Sequence, residues 1–172
     1  VIATMHCGEG PTIALRFDID ALGVLEADEE THLPAREGFR SVTPGIMHAC
    51  GHDGHAAIGI GTAMLLRELR DQLHGTVRLI FQPAEEGVRG ASSIVAAGHL
   101  DDADYALAAH VFPAGKAAGL VDVGVLAENG TGGLATSKLD VTFHGRSAHA
   151  GIAPQEGRNA LLAAATAVLN LH

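Results

Sequence analysis

The chain has 172 residues, of which 47% are hydrophobic and 18% are charged, a balance typical of a folded globular protein rather than a disordered one. Its 20 acidic and 11 basic residues give a net charge of −9 without any block of like charges, which disfavours a nucleic-acid or anionic-membrane surface. Two cysteines are too few for a disulfide scaffold. With no signal peptide evident, they favour a reducing, cytoplasmic compartment.

The first two thirds of the chain alternate short apolar runs with amphipathic segments. In chain order the pattern predicts a strand over residues 12–17, a polar loop over 26–46, a helix over 53–73, a strand over 76–81, a helix over 91–97 and a strand over 105–109. Strands that alternate with helices imply right-handed crossovers and a mostly parallel sheet in an α/β fold. Ligands of such sheets gather at the carboxyl ends of the strands.

A different pattern begins after residue 118. Residues 120–126 and 139–143 alternate as strands do, and an alanine- and leucine-rich helix is predicted over residues 159–171. We therefore expect two domains. Residues 1–118 form part of the first, and residues 119–172 are the first part of a second, α+β domain.

The densest chemical signal is the segment over residues 48–55, which reads His-Ala-Cys-Gly-His-Asp-Gly-His. Cysteine and histidine together suit a transition ion such as zinc, manganese or cobalt, and Gly51 lets the backbone bend so that side chains converge. We expect Cys50 and His52 to be at the centre of this cluster. Taken singly, His48 and His55 are more simply interpreted as capping or surface histidines.

Two adjacent carboxylates, Glu85 and Glu86, follow the second predicted strand after Pro83. In a bend, neighbouring side chains point in different directions, so one carboxylate can bind a metal while the other takes a proton from water. A Glu-Glu pair in a loop is, by itself, more often a solvated turn. Its place after a strand and beside a metal cluster favours the functional interpretation.

His110 follows the third predicted strand. A lone histidine after an apolar run is commonly a satisfied core residue. Here, however, the three strands are followed by Asp20, by the glutamate pair and by His110, while Cys50 and His52 open the intervening helix. All of these side chains are therefore expected along one edge of the sheet.

Four motifs resemble those of the aminoacylase-like dinuclear metallopeptidases and amidohydrolases. They are Asp18-Ile19-Asp20-Ala21-Leu22, the segment over residues 48–55, Phe81-Gln82-Pro83-Ala84-Glu85-Glu86-Gly87 and Ser147-Ala148-His149-Ala150-Gly151. The branch they resemble holds hippurate hydrolase, indoleacetyl-amino-acid hydrolase and p-aminobenzoyl-glutamate hydrolase. The Ala-Ile-Gly run after His55 and the helix start over residues 157–162 are most similar to the last of these.

The resemblance implies a three-layer, zinc-exopeptidase-like α/β domain with an inserted ferredoxin-like lid domain that dimerises. It implies two divalent ions, manganese or zinc, bound by Cys50, His52, Glu86 and His110. Glu85 would be the general base, and Asp20 would hold a metal ligand in place. His149, whose pattern alone favours a turn histidine, would reach the site of the neighbouring protomer and donate a hydrogen bond to the substrate carbonyl.

The chain departs from the family in two respects. Gly23 stands where relatives often have proline, and this difference affects no metal ligand. The family also has a further metal-binding histidine near the end of its catalytic domain, beyond the reach of this chain, and His172 is not a credible substitute. We therefore expect a fragment of a longer protein. Arg158 is a candidate for binding the substrate carboxylate, although a solvated arginine at a helix start is the simpler interpretation.

The implied reaction is hydrolysis of the amide bond of N-acyl, especially aryl-acyl, amino acids such as aminobenzoyl-glutamate by a metal-activated water. The expected assembly is a homodimer, and a second kind of subunit is a further option. One alternative is a non-catalytic metal-binding fragment or subunit. Another is an amidase with Cys50 as nucleophile and His52 as base, which would leave the glutamate pair and His110 without a role. A zinc nucleobase deaminase is disfavoured because no Pro-Cys-x-x-Cys motif follows.

Overall fold

The structure, a computed structural model, describes residues 1–87, 89–111 and 139–171. The chain divides into two compact units, Val1–Gly115 and Lys116–His172. Their assignment as catalytic and lid domains, with the boundary after residue 118, stays a prediction. None of the helices in the described part of the chain combines the length and the apolar character needed to cross a bilayer.

The first unit is built on a four-stranded sheet with strand order β1-β3-β2-β4. Its elements are β1 Ile2–His6, β2 Thr12–Asp18, α1 Leu33–Arg36, α2 His52–Glu68, a 3-10 turn at Arg70–Gln72, β3 Thr76–Gln82, α3 Gly90–Ala96 and β4 Tyr105–Ala108. Strand β2 runs parallel to both β3 and β4, and β1 pairs antiparallel with β3. The expected α/β class with a mostly parallel sheet is thus confirmed.

The second unit contains, among its described residues, a 3-10 turn at Pro154–Glu156 and helix α4, Ala160–Asn170. Helix α4 begins where the sequence predicts, because the Asn159 side chain accepts a hydrogen bond from Leu162 N–H at 2.9 Å and so caps the helix. The strand predicted over residues 139–143 has no strand pairing with any described residue. The strand predicted over 120–126, and His172, lie outside the described residues.

The core of the first unit lies around the central strands. Its buried apolar residues are Ala14, Val77, Leu79 and Ile80. Helix α2 comes close to the sheet at Gly59, where an added Cβ would lie 2.6 Å from the ring of Phe81 and 3.0 Å from the ring of Phe17. Only a residue without a side chain allows this approach, which fixes α2 against β2 and β3.

Strands β2 and β3 end level with each other. Asp18 pairs with Gln82 in register, and Ile19 N–H donates to the Gln82 carbonyl at 2.9 Å. The segment after Asp18 therefore starts beside the turn that follows Gln82. This alignment brings the predicted carboxylates of two strands to the same edge of the sheet.

Candidate metal centre

The bend between Cys50 and His52 depends on Gly51. Gly51 precedes helix α2 with φ of 83°, a left-handed conformation that glycine adopts at little cost. A Cβ at this position would also lie 2.6 Å from Val111 Cγ2. Gly51 therefore lets the chain turn sharply beneath Val111, so that Cys50 precedes the helix and His52 starts it.

His52 is fully buried, with 0% of its surface exposed. Its Nδ1 lies 3.0 Å from the backbone carbonyl oxygen of Asp20 and 3.2 Å from Asp20 Oδ1. Because a carbonyl oxygen only accepts, Nδ1 carries the hydrogen and Nε2 carries the lone pair. Nε2 has no hydrogen-bond partner among the described residues. A buried imidazole nitrogen of this kind is suited to a metal ion.

His110 is oriented in the same way from the other side. Its Nδ1 donates to the Val111 carbonyl oxygen at 2.6 Å, which again makes Nε2 the nitrogen with the lone pair. This Nε2 lies 3.5 Å from Cys50 Sγ. Cys50, His52 and Glu86 also offer donor atoms that all lie within 4.8 Å of one another. The structure thus brings the four predicted ligands together.

Asp20 connects the turn that carries the glutamates to His52. Its Oδ2 accepts a hydrogen bond from Glu86 N–H at 3.0 Å. Burial favours a higher pKa for this carboxyl, but hydrogen bonds from the backbone of Glu86, Glu85 and Asp20 itself lower the pKa overall. Asp20 therefore stays ionised between the two groups, as expected for a residue that holds a ligand in place.

The glutamate turn has an unusual backbone. Ala84, just before Glu85, has φ of 53°, a left-handed conformation that costs a residue with a Cβ about 1 kcal/mol or more. The Ala84 carbonyl oxygen accepts from the backbone N–H of Arg89 and of Gly90 at 3.3 and 3.2 Å. These bonds hold a sharp reversal, from which the half-buried Glu85 and Glu86 project as neighbours.

Asp18 and His55 were not predicted as parts of the site, and the interpretation of His55 as a capping or surface residue is wrong. His55 is 3% exposed, and its Nδ1 is hydrogen bonded to Asp18, which is 0% exposed. His48, in contrast, is exposed as predicted. The signal that could have found His55 is its spacing of three residues from His52, which places both rings on one helix face.

Burial is the main cause that raises the pKa of the Cys50 thiol. A hydrogen bond with Glu86 and the negative charges of Glu86, Glu85 and Asp18 raise it further. Nucleophilic cysteines instead sit where positive groups lower the thiol pKa. The surroundings of Cys50 therefore disfavour the cysteine-nucleophile alternative and suit a thiolate that a cation stabilises.

His149 lies in the second unit and is exposed. Its Nδ1 accepts hydrogen bonds from Gly151 N–H and Ile152 N–H, both at 3.2 Å, which is the geometry of a turn histidine. Because Nδ1 accepts, the hydrogen of the neutral ring is on Nε2. Its assignment to the site of a neighbouring protomer stays a prediction.

The donor set and its surroundings fit a divalent metal ion. Imidazole, thiolate and carboxylate together suit zinc, and the same set accommodates manganese. The buried Nε2 of His52 is the specific mark of the site, since a buried polar atom that makes no hydrogen bond is costly unless a ligand binds it.

Comparison with known proteins agrees with this chemistry. The family model described as peptidase family M20/M25/M40 matches residues 14–172. The chain is 53% identical over its whole length to indole-3-acetyl-aspartic acid hydrolase of Enterobacter agglomerans. It is 50% identical, again over its whole length, to one of the subunits of p-aminobenzoyl-glutamate hydrolase of Escherichia coli (strain K12). The chain spans 38% of the length of each of these two relatives.

Two solved structures resemble the chain. The YXEP protein of Bacillus subtilis, described as a dinuclear metal binding peptidase, has a TM-score of 0.59 and 49% identity, over 65% of this chain and 30% of that one. An aminobenzoyl-glutamate utilization protein from Klebsiella pneumoniae has a TM-score of 0.60 and 35% identity, over 99% of this chain and 36% of that one. The resemblance seen in the four sequence motifs is confirmed, and this chain belongs to peptidase family M20/M25/M40.

Proposed function

We propose that this chain carries the metal centre of a metal-dependent amidohydrolase that cleaves the amide bond of N-acyl amino acids. The observation that carries the proposal is the buried Nε2 of His52, which has no hydrogen-bond partner among the described residues and lies 3.7 Å from Asp18 Oδ2, while the ring shares a 4.8 Å donor cluster with Cys50 and Glu86. The relatives support the reaction, since their names make them hydrolases of indoleacetyl-aspartate and of aminobenzoyl-glutamate.

The two substrates in the relatives' names share one chemistry. Each joins an aromatic acyl group to an acidic amino acid through an amide bond. Because the chain is similar to both relatives at 50% identity or more, we infer that its substrate is an aryl-acyl amino acid of this kind. The carboxylates of such a substrate require cationic partners, for which Arg158 remains a candidate.

Two divalent ions, manganese or zinc, would be held by Cys50, His52, Glu86 and His110. When bound, the ions supply Lewis-acid polarisation of the amide carbonyl and lower the pKa of a water. Asp20 keeps His52 in the tautomer whose Nε2 can bind a metal, because the N–H on Nδ1 is engaged by the Asp20 carbonyl at 3.0 Å. The "dinuclear" description of the YXEP protein supports the count of two.

Glu85 is the proposed general base. It takes a proton from the attacking water and later gives it to the leaving amine, so that neither hydroxide nor a charged amide nitrogen has to form freely. Its place supports the role, since it shares the strained turn with the proposed ligand Glu86 while standing outside the donor cluster.

His149 is the proposed donor to the carbonyl oxygen on which negative charge develops. The hydrogen bonds that Gly151 and Ile152 donate to its Nδ1 leave the ring hydrogen on Nε2, and a neutral donor of this kind suits an oxyanion. We propose that it acts across a homodimer formed by the second unit. The name of the Escherichia coli relative describes one subunit of an enzyme, which also supports assembly with a second kind of chain.

The test assays the full-length protein on p-aminobenzoyl-glutamate and indoleacetyl-aspartate before chelation, after chelation and after manganese or zinc is restored. We expect hydrolysis to disappear when the metal is removed and to return when it is restored. The His52→Ala variant should neither bind the metal nor hydrolyse the substrates. His48→Ala is the matched control, because this exposed histidine lies in the same segment. Its substitution should leave metal binding and hydrolysis intact. Full hydrolysis by protein shown to be free of metal would overturn the proposal.

A further inference from the structure

Beside the proposed ligands lies a buried pair that the proposed reaction does not use. Asp18 has one carboxylate oxygen on His55 Nδ1 and the other 2.8 Å from Arg16 Nη1. The guanidinium continues the network, because Arg16 Nε donates to Gln82 Oε1 at 2.9 Å. The pair is thus anchored to the ends of both central strands, β2 and β3. Burial of a hydrogen-bonded Asp–His pair with this many partners suggests a specific task.

The far side of His55 contacts the segment that carries His110. Val111 N–H donates to His55 Nε2 at 2.8 Å. The rings of His55 and His110 also meet edge to face, with centroids 4.6 Å apart and planes at 82°. His55 therefore touches both the side chain of His110 and the peptide group that follows it.

The direction of these hydrogen bonds is determined by their partners. A backbone N–H can only donate, so Nε2 of His55 must be the acceptor and Nδ1 must carry the hydrogen. The Asp18 carboxylate accepts that hydrogen and so favours the one tautomer that can accept from Val111. Without Asp18, nothing would favour the His55 tautomer whose Nε2 accepts from Val111 N–H.

This cluster is not a second metal site, although donor atoms of Asp18, His52, His55 and His110 lie within 4.8 Å of one another. Both nitrogens of His55 are already hydrogen bonded. Asp18 Oδ1 is paired with His55, and Oδ2, which makes no hydrogen bond to a described residue, lies 2.8 Å from Arg16 Nη1 and 3.7 Å from His52 Nε2. The cluster therefore supports a neighbouring ligand instead of offering a complete set of its own.

His110 is a ligand that benefits from such support. It follows strand β4, whose four residues are all exposed, and His110 and Val111 are exposed as well. His52, by comparison, is itself buried and lies in the first turn of helix α2. A ligand on an exposed segment loses more freedom when it binds a metal, unless other contacts have already ordered it.

We propose that Asp18 and His55 are positioning residues that hold the His110–Val111 peptide, and with it the His110 ring, in the metal-binding arrangement before the ion arrives. The inference rests on the proposed metal centre. The packing of Val111 over Gly51, where no Cβ would fit, holds the same segment from a second direction. His55 acts through His110 and touches neither ion nor substrate.

The test measures manganese and zinc affinity of the full-length protein by competition with a chelator, starting from metal-free protein. We expect His55→Ala to weaken binding by about 10–100-fold, the usual effect of losing a residue that orients a ligand. His55→Gln should recover much of this loss, because its amide can donate to Asp18 and accept from Val111 N–H. Leu79→Ala is the control, since it removes a core side chain that is 6% exposed. It should lower the stability of the fold without changing the metal affinity.

Wild-type affinity in His55→Ala, alongside reduced stability of the metal-free form, would show that the pair only supports the fold and would overturn the inference. Equal losses in His55→Ala and His55→Gln would overturn it as well, since hydrogen bonding would then be irrelevant. If His55→Ala does not fold, Asp18→Asn takes its place, and a smaller loss of affinity is expected. A wild-type protein that binds no metal would instead contradict the proposed function itself.

Discussion

His52 and His149 both stand beside small residues in a bend, yet the two regions hold their rings differently. In the first unit, His52 is 0% exposed, its Nδ1 faces the backbone at a strand end, and its Nε2 is buried without a hydrogen-bond partner among the described residues. In the second unit, His149 is exposed and its Nδ1 accepts from its own turn at 3.2 Å. At the sheet edge, the Nε2 of His52 therefore offers a lone pair, whereas in the turn the Nε2 of His149 offers a hydrogen-bond donor.

This difference separates what each region can do alone. A buried lone pair with thiol and carboxylate neighbours suits a cation, and the clustered donors all lie in the first unit. An exposed donor acts only on a group that binds next to it, so the proposed role of His149 depends on assembly and on substrate. The two regions should therefore respond differently to mutation, to chelation and to the mixing of protomers.

The largest effect is expected inside the first region, at Glu85. Glu85→Gln in the full-length protein should lower kcat by at least ~10²-fold, the usual scale for a general base, and leave the metal content unchanged. Steady-state kinetics and elemental analysis of the same sample measure both quantities. Parallel loss of metal and activity would instead move Glu85 into the ligand set.

The next effect concerns the second region. His149→Ala should lower kcat about 10²–10³-fold with little change in KM, because the bond forms mainly to the developing oxyanion. Mixing this variant with Glu85→Gln should then restore activity to about a quarter of wild type, since about half of the dimers are mixed and each has one intact site. Absence of recovery, once exchange of protomers is proven, would place His149 in its own chain's site or in a purely structural turn.

A smaller effect tests the thiol of the first region. Burial and the neighbouring Glu86 raise the pKa of Cys50 in the metal-free protein, so less thiolate is present at a given pH than in an ordinary cysteine. Alkylation of the chelated protein should therefore be slow near neutral pH and accelerate only above the usual thiol range. Metal-loaded protein should resist modification throughout.

The other cysteine provides the control for this experiment. A Cys7→Ser background removes the second thiol of this chain, and peptide mapping then assigns modification to Cys50. Rapid alkylation of Cys50 with metal bound would contradict its role as a ligand and revive the nucleophile alternative.

The smallest effect is expected at an ion pair outside both histidine regions, between the half-buried Arg78 and the exposed Asp102. Arg78 Nη2 donates to Asp102 Oδ2 at 2.9 Å, and this hydrogen bond lowers the pKa of Asp102. The pair should therefore stabilise the fold above the usual carboxyl range and lose its effect as the pH falls through the lowered pKa. Asp102→Asn should cost a little stability at neutral pH and nothing in acid, whereas Glu9→Gln, at another exposed carboxylate, should be neutral. An equal loss of stability in Asp102→Asn at neutral and at acid pH would contradict this role of the ion pair.

The sequence predicted the parts of the fold and site that have a local signature. Strands β2 and β3 are apolar runs of the right length, and Asp20, Glu85 and His110 stand just after strands, where ligands gather. Strand β1 was missed because it is a short, largely exposed edge strand, whose pairing partner β3 lies far along the chain.

The buried network beside the ligands was missed for a related reason. Asp18 and His55 are 37 residues apart, so no motif or helical period connects them, and only the packing of α2 against the strand ends makes them neighbours. Position in the fold also decides whether residues of the same type are exposed or buried. His48 and His55 belong to one segment, yet the first is exposed and the second is buried.

Anomalous diffraction from crystals of the full-length protein loaded with manganese or zinc tests the metal centre most directly. We predict anomalous peaks within bonding distance of Cys50 Sγ and of Nε2 of His52 and His110, with His55 still hydrogen bonded to Val111 N–H. A peak bonded to Asp18 and His55, with none beside Cys50, would contradict the proposed centre.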